Sequence, residues 1–225
     1  MSSRGDHLNT MIVEEKVSWK NGLFFAEGLW RKGRGESGAV ICHPHPLMGG
    51  SMYNNVVETI RDVFTDCGCS TLRFNFRGVG ASTGNYDEGK GEQQDILSAC
   101  EYMKSRGVKK IILAGYSFGA WVASRLLKDR PSMIHSAIFV SPPQKYFDFD
   151  WRGLEDTVGF MVCGDSDPFC DADDLKKNAK YIHAQMKIFP QTDHFYAGRE
   201  ALLAKYLSEY IHEKKLDFNE NGVKV

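Results

Sequence analysis

Compact apolar runs alternate with longer amphipathic segments from residue 39 to residue 213, and this alternation restricts the possible folds more than any other feature of the sequence. A short apolar run bounded by turn residues predicts a buried strand, and apolar residues at a 3.6-residue period predict a helix. Strands are predicted at 39–42, 70–76, 110–114, 137–140, 159–163 and 184–189. Helices are predicted at 55–65, 91–105, 118–128, 173–183 and 198–213. Strict alternation indicates an α/β fold, in which right-handed crossovers place a mostly parallel sheet between two layers of helices.

The segment that precedes this region predicts an antiparallel hairpin. Two runs rich in β-forming residues, 11–19 and 23–30, are separated by Lys20-Asn21-Gly22, and Asn-Gly is a strong hairpin signal. A length of 225 residues fits one hydrophobic core. We therefore expect a single domain over residues 1–215 and a polar, flexible C-terminal tail over residues 216–225.

The charge balance argues against two classes of partner. Lys and Arg total 28 and Asp and Glu total 29, so the net formal charge is −1, and no long run has one sign. Binding to nucleic acid or to an anionic membrane normally needs a basic excess, and we expect neither. The six cysteines are scattered without a CxxC pair, which favours reduced thiols, and no apolar run reaches the length of a membrane span. These features predict a cytoplasmic protein.

The pentapeptide Gly115-Tyr116-Ser117-Phe118-Gly119 lies between a predicted strand and a predicted helix. It fits the pattern G-x-S-x-G, in which the glycines leave room for a sharp turn that lifts the serine hydroxyl clear of the sheet. The first amides of the following helix point toward this position and stabilise negative charge there. The alternative is an accidental serine in a glycine-bounded loop, which the strand-to-helix context disfavours. We interpret Ser117 as a candidate nucleophile.

A serine nucleophile needs a general base, and the base needs a third group that orients it. Parallel sheets carry their functional groups beyond the carboxyl ends of the strands, so the residues that follow the later strands are the candidates for these two roles. Asp165 and Asp167 follow the strand at 159–163, and His194 follows the strand at 184–189. Position alone leaves both aspartates open as the partner of His194.

The order serine, acid, histidine resembles that of the α/β-hydrolase superfamily. Along nearly its whole length the chain is similar to small, lidless bacterial serine hydrolases of the dienelactone-hydrolase-like branch, through the motifs CHPHPLMGGSMYN, RGVGAS and GYSFGA. In that branch the acid closes a Gly-x-x-Asp turn, which matches Gly164-Asp165-Ser166-Asp167. The resemblance therefore implies Asp167 as the acid and His194 as the base, and it leaves Asp165 a role in forming the turn.

The loop His43-Pro44-His45-Pro46-Leu47-Met48 follows the first predicted parallel strand. A tetrahedral intermediate needs two backbone donors, and the resemblance implies that Phe118 supplies one and this loop the other. Proline has no N–H group, so Pro44 and Pro46 are excluded. The family loop often reads His-Gly-x, which His45-Pro46-Leu47 matches here, so Leu47 is the best candidate and Met48 the second. A metal site at Cys42, His43 and His45 is the less favoured alternative, because the prolines restrict how the imidazoles converge.

Together these residues predict a serine carboxylesterase that acts on short-chain acyl esters, needs no cofactor and binds a small-molecule ester as its partner. Ser117 would form an acyl-enzyme, His194 would act first as base and then as acid, and Asp167 would orient His194. Thioesterase activity, amidase or peptidase activity and a non-catalytic binding protein of the same fold remain alternatives. We expect a monomer or a homodimer.

The segment between the strands at 137–140 and 159–163 is too short for a large cap domain, so we expect an open pocket. Aromatic residues of this segment either border the pocket or pack in the core: Tyr146, Phe147, Phe149 and Trp151. The residues expected to contact the substrate are Met48, Tyr116, Tyr146 and Phe195.

Overall fold

The computed structural model describes residues 13–129, 132, 134–214 and 216. The strands in this part of the chain are β1 (Glu15–Asn21), β2 (Phe24–Arg31), β3 (Ser37–Cys42), β4 (Ser70–Phe74), β5 (Lys110–Tyr116), β6 (Ser136–Val140), β7 (Val158–Gly164) and β8 (Gln185–Phe189). The α-helices are α1 (Asn55–Asp66), α2 (Lys90–Ser105), α3 (Phe118–Asp129), α4 (Ala172–Tyr181) and α5 (Glu200–Glu213). The strands form one sheet in the order β1-β2-β4-β3-β5-β6-β7-β8.

The six strands from β4 to β8 in this order are parallel, which confirms the predicted α/β fold. Each predicted strand and helix is present, and the boundaries differ by a few residues. Helix α4 begins one residue earlier than predicted, because the side chain of Asp171 accepts a hydrogen bond from the amide of Asp174 and caps the helix.

The hairpin prediction is also confirmed, with a shift in its turn. Strands β1 and β2 are antiparallel, and Asn21 pairs with Phe24, so the two turn residues are Gly22 and Leu23 rather than Asn21 and Gly22. Gly22 has a φ of 61°, a value that favours glycine. Strand β2 joins the rest of the sheet through an antiparallel pairing with β4. Residues 11 and 12 of the predicted first strand lie outside the described residues.

Two clusters of apolar side chains, one on each face of the sheet, form the core. Alternate residues of β3 enter different clusters, with Val40 and Cys42 on one face and Ala39 and Ile41 on the other. Helices α2, α3 and α4 cover the first face, and α1 and α5 cover the second. Because both faces are covered, the strands read as continuous apolar runs in the sequence.

The segment 141–157 between β6 and β7 contains no helix or strand, which confirms that no large cap domain is inserted there. It packs onto α3, where the indole Nε1 of Trp121 donates a hydrogen bond to the carbonyl of Asp148 at 3.0 Å.

At the other end of the chain, Leu216 is buried among the core residues, and its amide donates to the carbonyl of Ile211. Packing therefore extends to the first residue of the predicted tail. The rest of that tail lies outside the described residues.

Candidate active site

Ser117 lies between the last residue of β5 and the first residue of α3, in a left-handed backbone conformation with a φ of 54°. This conformation is strained for any residue other than glycine. It is held by tight packing, since a Cβ atom on Gly115 would lie 2.6 Å from the backbone of Ala120, and one on Gly119 would lie 2.5 Å from the carbonyl oxygen of Cys42. Both glycines of the motif are therefore required by close backbone approach.

His194 lies in the loop after β8. The carboxylate of Asp193 accepts hydrogen bonds from the amides of Phe195 and Tyr196 at 2.9 and 3.2 Å and so shapes the loop. The phenol of Tyr116 donates to the carbonyl of His194 at 2.9 Å, and burial raises the pKa of this phenol, so it remains a donor. These contacts fix the backbone that carries the imidazole.

Ser117, His194 and Asp167 form one hydrogen-bonded chain. The Oγ atom of Ser117 lies 2.8 Å from Nε2 of His194, and Nδ1 of His194 lies 2.8 Å from Oδ2 of Asp167. A carboxylate only accepts hydrogen bonds, so Nδ1 carries the proton and Nε2 is free to accept the proton of the serine. The three residues are 7%, 5% and 5% exposed, respectively, so water competes weakly for these hydrogen bonds.

Asp167 is held as an anion. Burial alone would raise the pKa of Asp167, but the hydrogen bond and charge of His194 outweigh it, and the pKa lies below its ordinary value. The Oδ1 atom accepts from the amides of Phe169 and Cys170 at 2.9 and 3.2 Å. Asp165, by contrast, is exposed and accepts from the hydroxyl of Ser166 at 2.8 Å. The structure thus brings Asp167, and not Asp165, to the imidazole.

The two backbone amides expected to complete the oxyanion hole, those of Leu47 and Met48, both have other partners. The amide of Leu47 donates to Nδ1 of His45 at 3.2 Å, and Leu47 is 72% exposed and does not line the cavity beside Ser117. The amide of Met48, the second candidate, donates to the carbonyl of His45 at 3.0 Å. The reason is local: residues 46–48 form one turn of 3-10 helix, and His45 caps it.

Two other backbone amides make no hydrogen bond to any described residue: that of Phe118, which directly follows Ser117, and that of His45, whose ring lies 4.8 Å from the ring of Phe118. Phe118 begins α3, whose first amides have no partner within the helix. His45 is the one residue of Pro44-His45-Pro46 that has an N–H group. The sequence analysis did not consider the amide of His45, because it matched His45 to the histidine of His-Gly-x; excluding the prolines leaves His45 among the possible donors.

His43 fixes the peptide group that carries the amide of His45. Its Nδ1 atom lies 2.6 Å from the carbonyl oxygen of Pro44, and its Nε2 atom accepts from the amide of Phe76 at 3.0 Å. Burial lowers the pKa of His43 to about 4, so the ring is neutral at pH 7. In a trans peptide the C=O and N–H groups point in opposite directions, so holding the carbonyl of Pro44 also holds the N–H of His45.

The metal alternative gains no support from this arrangement. Both ring nitrogens of His43 have protein partners, and Nδ1 of His45 is occupied by Leu47. Across the part of the chain that the structure describes, no group of three or more His, Cys, Asp or Glu side chains is placed to hold a metal ion.

A cavity of about 530 Å³ opens beside Ser117 and His194. All four residues expected to contact substrate line it: Met48, Tyr116, Tyr146 and Phe195. The aromatic residues of the segment 141–157 divide between two places. Phe147 lines the cavity with Tyr146, whereas the rings of Phe149 and Trp151 stack on each other at 4.9 Å and pack against the core. Sequence reasoning missed Phe169, which follows Asp167 and lies over the ring of His194 at 4.6 Å.

Comparison with known proteins gives one matching family and several similar proteins, among them solved serine hydrolases. The family described as serine aminopeptidase, S33, matches residues 40–148. The chain is 34% identical over 186 residues to the uncharacterized protein RP471 of Rickettsia prowazekii (strain Madrid E), a match that covers 77% of each chain.

Two solved structures are similar over most of their length. An alpha-beta serine hydrolase homologue from Coxiella burnetii is 31% identical, with a TM-score of 0.77 over 87% of this chain and 96% of that one. XC6422 from Xanthomonas campestris, an α/β serine hydrolase without a lid, is 25% identical, with a TM-score of 0.79 over 89% of this chain and 94% of that one. No helix among the described residues is long and apolar enough to cross a membrane.

Proposed function

The chain belongs to the α/β-hydrolase superfamily of serine hydrolases, and on that premise we propose that it is a carboxylesterase that cleaves short-chain acyl esters through an acyl-serine intermediate. The observation that carries the proposal is the continuous hydrogen-bonded chain from Ser117 through His194 to Asp167. Such a chain supplies a nucleophile, a base and a group that orients the base.

In the first half of the reaction, Ser117 attacks the ester carbonyl while Nε2 of His194 takes its proton. The imidazolium that forms is stabilised by the anionic Asp167, 2.8 Å from Nδ1. When the tetrahedral intermediate collapses, Nε2 returns the proton to the alkoxide of the leaving alcohol, and Ser117 retains the acyl group. In the second half, His194 takes a proton from water, the hydroxide attacks the acyl-serine, and Ser117 leaves with the proton from His194.

The tetrahedral intermediate carries a negative charge on the former carbonyl oxygen. We assign the two donors for this oxyanion to the backbone amides of Phe118 and His45. Phe118 directly follows Ser117, His45 lines the same cavity as Ser117, and neither amide has a competing partner among the described residues. The N-terminal end of α3 adds a favourable field at the same place.

The cavity supports a substrate without a net charge. None of the described residues that line it is Lys, Arg, Asp or Glu, and most are aromatic or aliphatic. Its volume of about 530 Å³ suits a small ester, and the open mouth that a lidless fold leaves does not require a long acyl chain.

A peptidase is the second candidate, because the matching family is described as serine aminopeptidase. An aminopeptidase must bind the charged α-amino group of its substrate, which normally requires a carboxylate near the nucleophile. Among the described residues, no Asp or Glu lines the cavity, and the carboxylate of Asp167 lies behind His194, hydrogen-bonded to its Nδ1. This favours an ester over a peptide with a free amino terminus. A thioester would follow the same steps as an ester.

The test is hydrolysis of p-nitrophenyl acetate and butyrate by the wild type and by Ser117→Ala. We expect turnover by the wild type and at least a thousandfold lower kcat in the variant. Absence of turnover, or turnover that Ser117→Ala leaves intact, would contradict the proposal. Alanine p-nitroanilide and butyryl thioesters, compared by kcat/KM with the matched esters, separate the three activities.

A further inference from the structure

The side chain of His45 is a polar group in an otherwise apolar part of the cavity wall. Three aromatic rings surround it, those of Phe118 at 4.8 Å, Tyr86 at 5.0 Å and Phe147 at 6.1 Å. The mechanism above uses only the backbone amide of His45. The cap on the turn at residues 46–48 uses Nδ1 of the imidazole and leaves Nε2 without an assigned role.

The hydrogen bond from Leu47 fixes the protonation of this ring. Nδ1 of His45 accepts from the amide of Leu47 at 3.2 Å, so Nδ1 carries no proton. Burial lowers the pKa of His45, so the ring is neutral at pH 7 and its one proton is on Nε2. Within the described residues, Nε2 has no hydrogen-bond partner, and it is not among the atoms sealed from solvent. Nε2–H is thus an available donor at the cavity.

His45 and His194 lie in different aromatic surroundings. The ring neighbours of His194 are Tyr116, Phe169 and Phe195, and none of these is a ring neighbour of His45. His194 must give a proton to the departing alcohol, so the leaving group occupies its side of Ser117. The acyl substituent extends away from the leaving group, and we infer that it lies beside His45, which lines the same cavity among other aromatic neighbours.

From this arrangement we propose that Nε2–H of His45 donates a hydrogen bond to a neutral acceptor in the acyl group of the substrate. The substrate class is then an ester whose acyl chain carries an ether, hydroxyl or amide oxygen close to the reacting carbonyl. An anionic acyl group does not fit, because the described residues that line the cavity include no Lys or Arg. The inference rests on the proposed esterase function and names the acyl group that this function selects.

The experiment uses two pairs of p-nitrophenyl esters that differ by replacement of one methylene group with oxygen. Methoxyacetate is compared with butyrate, and 3-methoxypropanoate with pentanoate. The measured quantity is the ratio of kcat/KM for the oxygen-containing ester to kcat/KM for its hydrocarbon partner. Comparing this ratio between wild type and variants cancels the intrinsic reactivity of the esters.

Three variants separate the donor from the cap. His45→Phe keeps a ring but has no donor. His45→Asn keeps an acceptor for the amide of Leu47, but its side chain ends short of the Nε2 position. His45→Gln retains a donor of similar reach. The backbone N–H is present in all three. We expect the ratio to fall about three- to tenfold in His45→Phe and His45→Asn for at least one pair, as for loss of a neutral hydrogen bond. The ratio should stay within twofold of wild type in His45→Gln.

An unchanged ratio in His45→Phe and His45→Asn for both pairs would overturn the assignment, even if all rates fall together through loss of the cap. So would an equal fall of the ratio in His45→Gln. If the wild type fails to hydrolyse all four esters, or hydrolyses them without Ser117, the proposed function itself fails, which is a different result.

Discussion

Replacement of Asp167 by asparagine tests how the site controls the proton of His194. Oδ1 of Asp167 accepts hydrogen bonds from two backbone amides, so the asparagine must keep its oxygen on that side. Its NH₂ group then faces Nδ1 of His194, where the carboxylate oxygen was at 2.8 Å. An N–H donor there forces the imidazole proton onto Nε2, and the ring can no longer accept the proton of Ser117.

The expected loss follows from two contributions. The charge-assisted hydrogen bond that stabilises the imidazolium contributes about 1.5–3 kcal/mol. Restoring the productive tautomer leaves two buried donors facing each other, which costs about 1–3 kcal/mol more. At about 1.36 kcal/mol for each tenfold change in rate, kcat should fall by about 10²- to 10⁴-fold.

The assay is steady-state hydrolysis of p-nitrophenyl butyrate at pH 7.5, with Asp165→Asn as the matched control. Asp165 is exposed and makes no contact with His194, so kcat of the control should remain within about fivefold of wild type. The same far-ultraviolet spectrum in all three proteins would exclude misfolding. If Asp167→Asn retains more than a tenth of the wild-type kcat, or if Asp165→Asn is the more damaging change, the reasoning fails.

Three further predictions address the surroundings of the site. His45→Pro removes the backbone N–H of residue 45, where the φ of −55° is one that proline accepts. The kcat of His45→Pro should therefore be about 10²- to 10³-fold below that of His45→Ala. Equal kcat values for the two variants would exclude this amide as an oxyanion donor. The pKa of His43 is lowered to about 4 by burial, so the unfolded state binds more protons between pH 4 and 6.5. The free energy of unfolding by urea should therefore fall by about 3 kcal/mol more in the wild type than in His43→Gln as the pH drops through that window; parallel curves would contradict this. Gly119→Ala should lower the Tm by several degrees, because the new Cβ atom would lie 2.5 Å from the carbonyl oxygen of Cys42. The same change in an open helix is stabilising, so a higher Tm would refute the close approach.

Much of the fold could be predicted from the sequence, because strands buried on both faces and helices with one apolar face leave distinct periodic patterns. The glycines flanking Ser117 and the position of His194 after the last strand were equally readable. The errors concern single residues at turns. The pair Asn21-Gly22 correctly indicated a hairpin, but it predicted a turn that begins at Asn21, whereas the observed turn residues are Gly22 and Leu23.

The loop at residues 43–48 shows a property that a sequence pattern cannot predict, namely which backbone amides are left without a hydrogen-bond partner. Leu47 has a backbone N–H and lies in the right loop, but the turn at residues 46–48 directs that amide to the side chain of His45. Whether a backbone donor is free depends on where neighbouring side chains bond, and this depends on three-dimensional contacts. The contact of His43 with the amide of Phe76 is of the same kind, since it joins two loops that are 33 residues apart.

The most direct test of the central claim is covalent labelling with a fluorophosphonate, which a serine activated by a neighbouring base attacks at phosphorus with release of fluoride. Intact mass spectrometry followed by peptide mapping locates the adduct. We predict one adduct per chain, on Oγ of Ser117, with no labelling of Ser117→Ala and much slower labelling of Asp167→Asn. An unlabelled wild type, or an adduct that persists in Ser117→Ala, would contradict the claim that this chain is a serine hydrolase acting through Ser117.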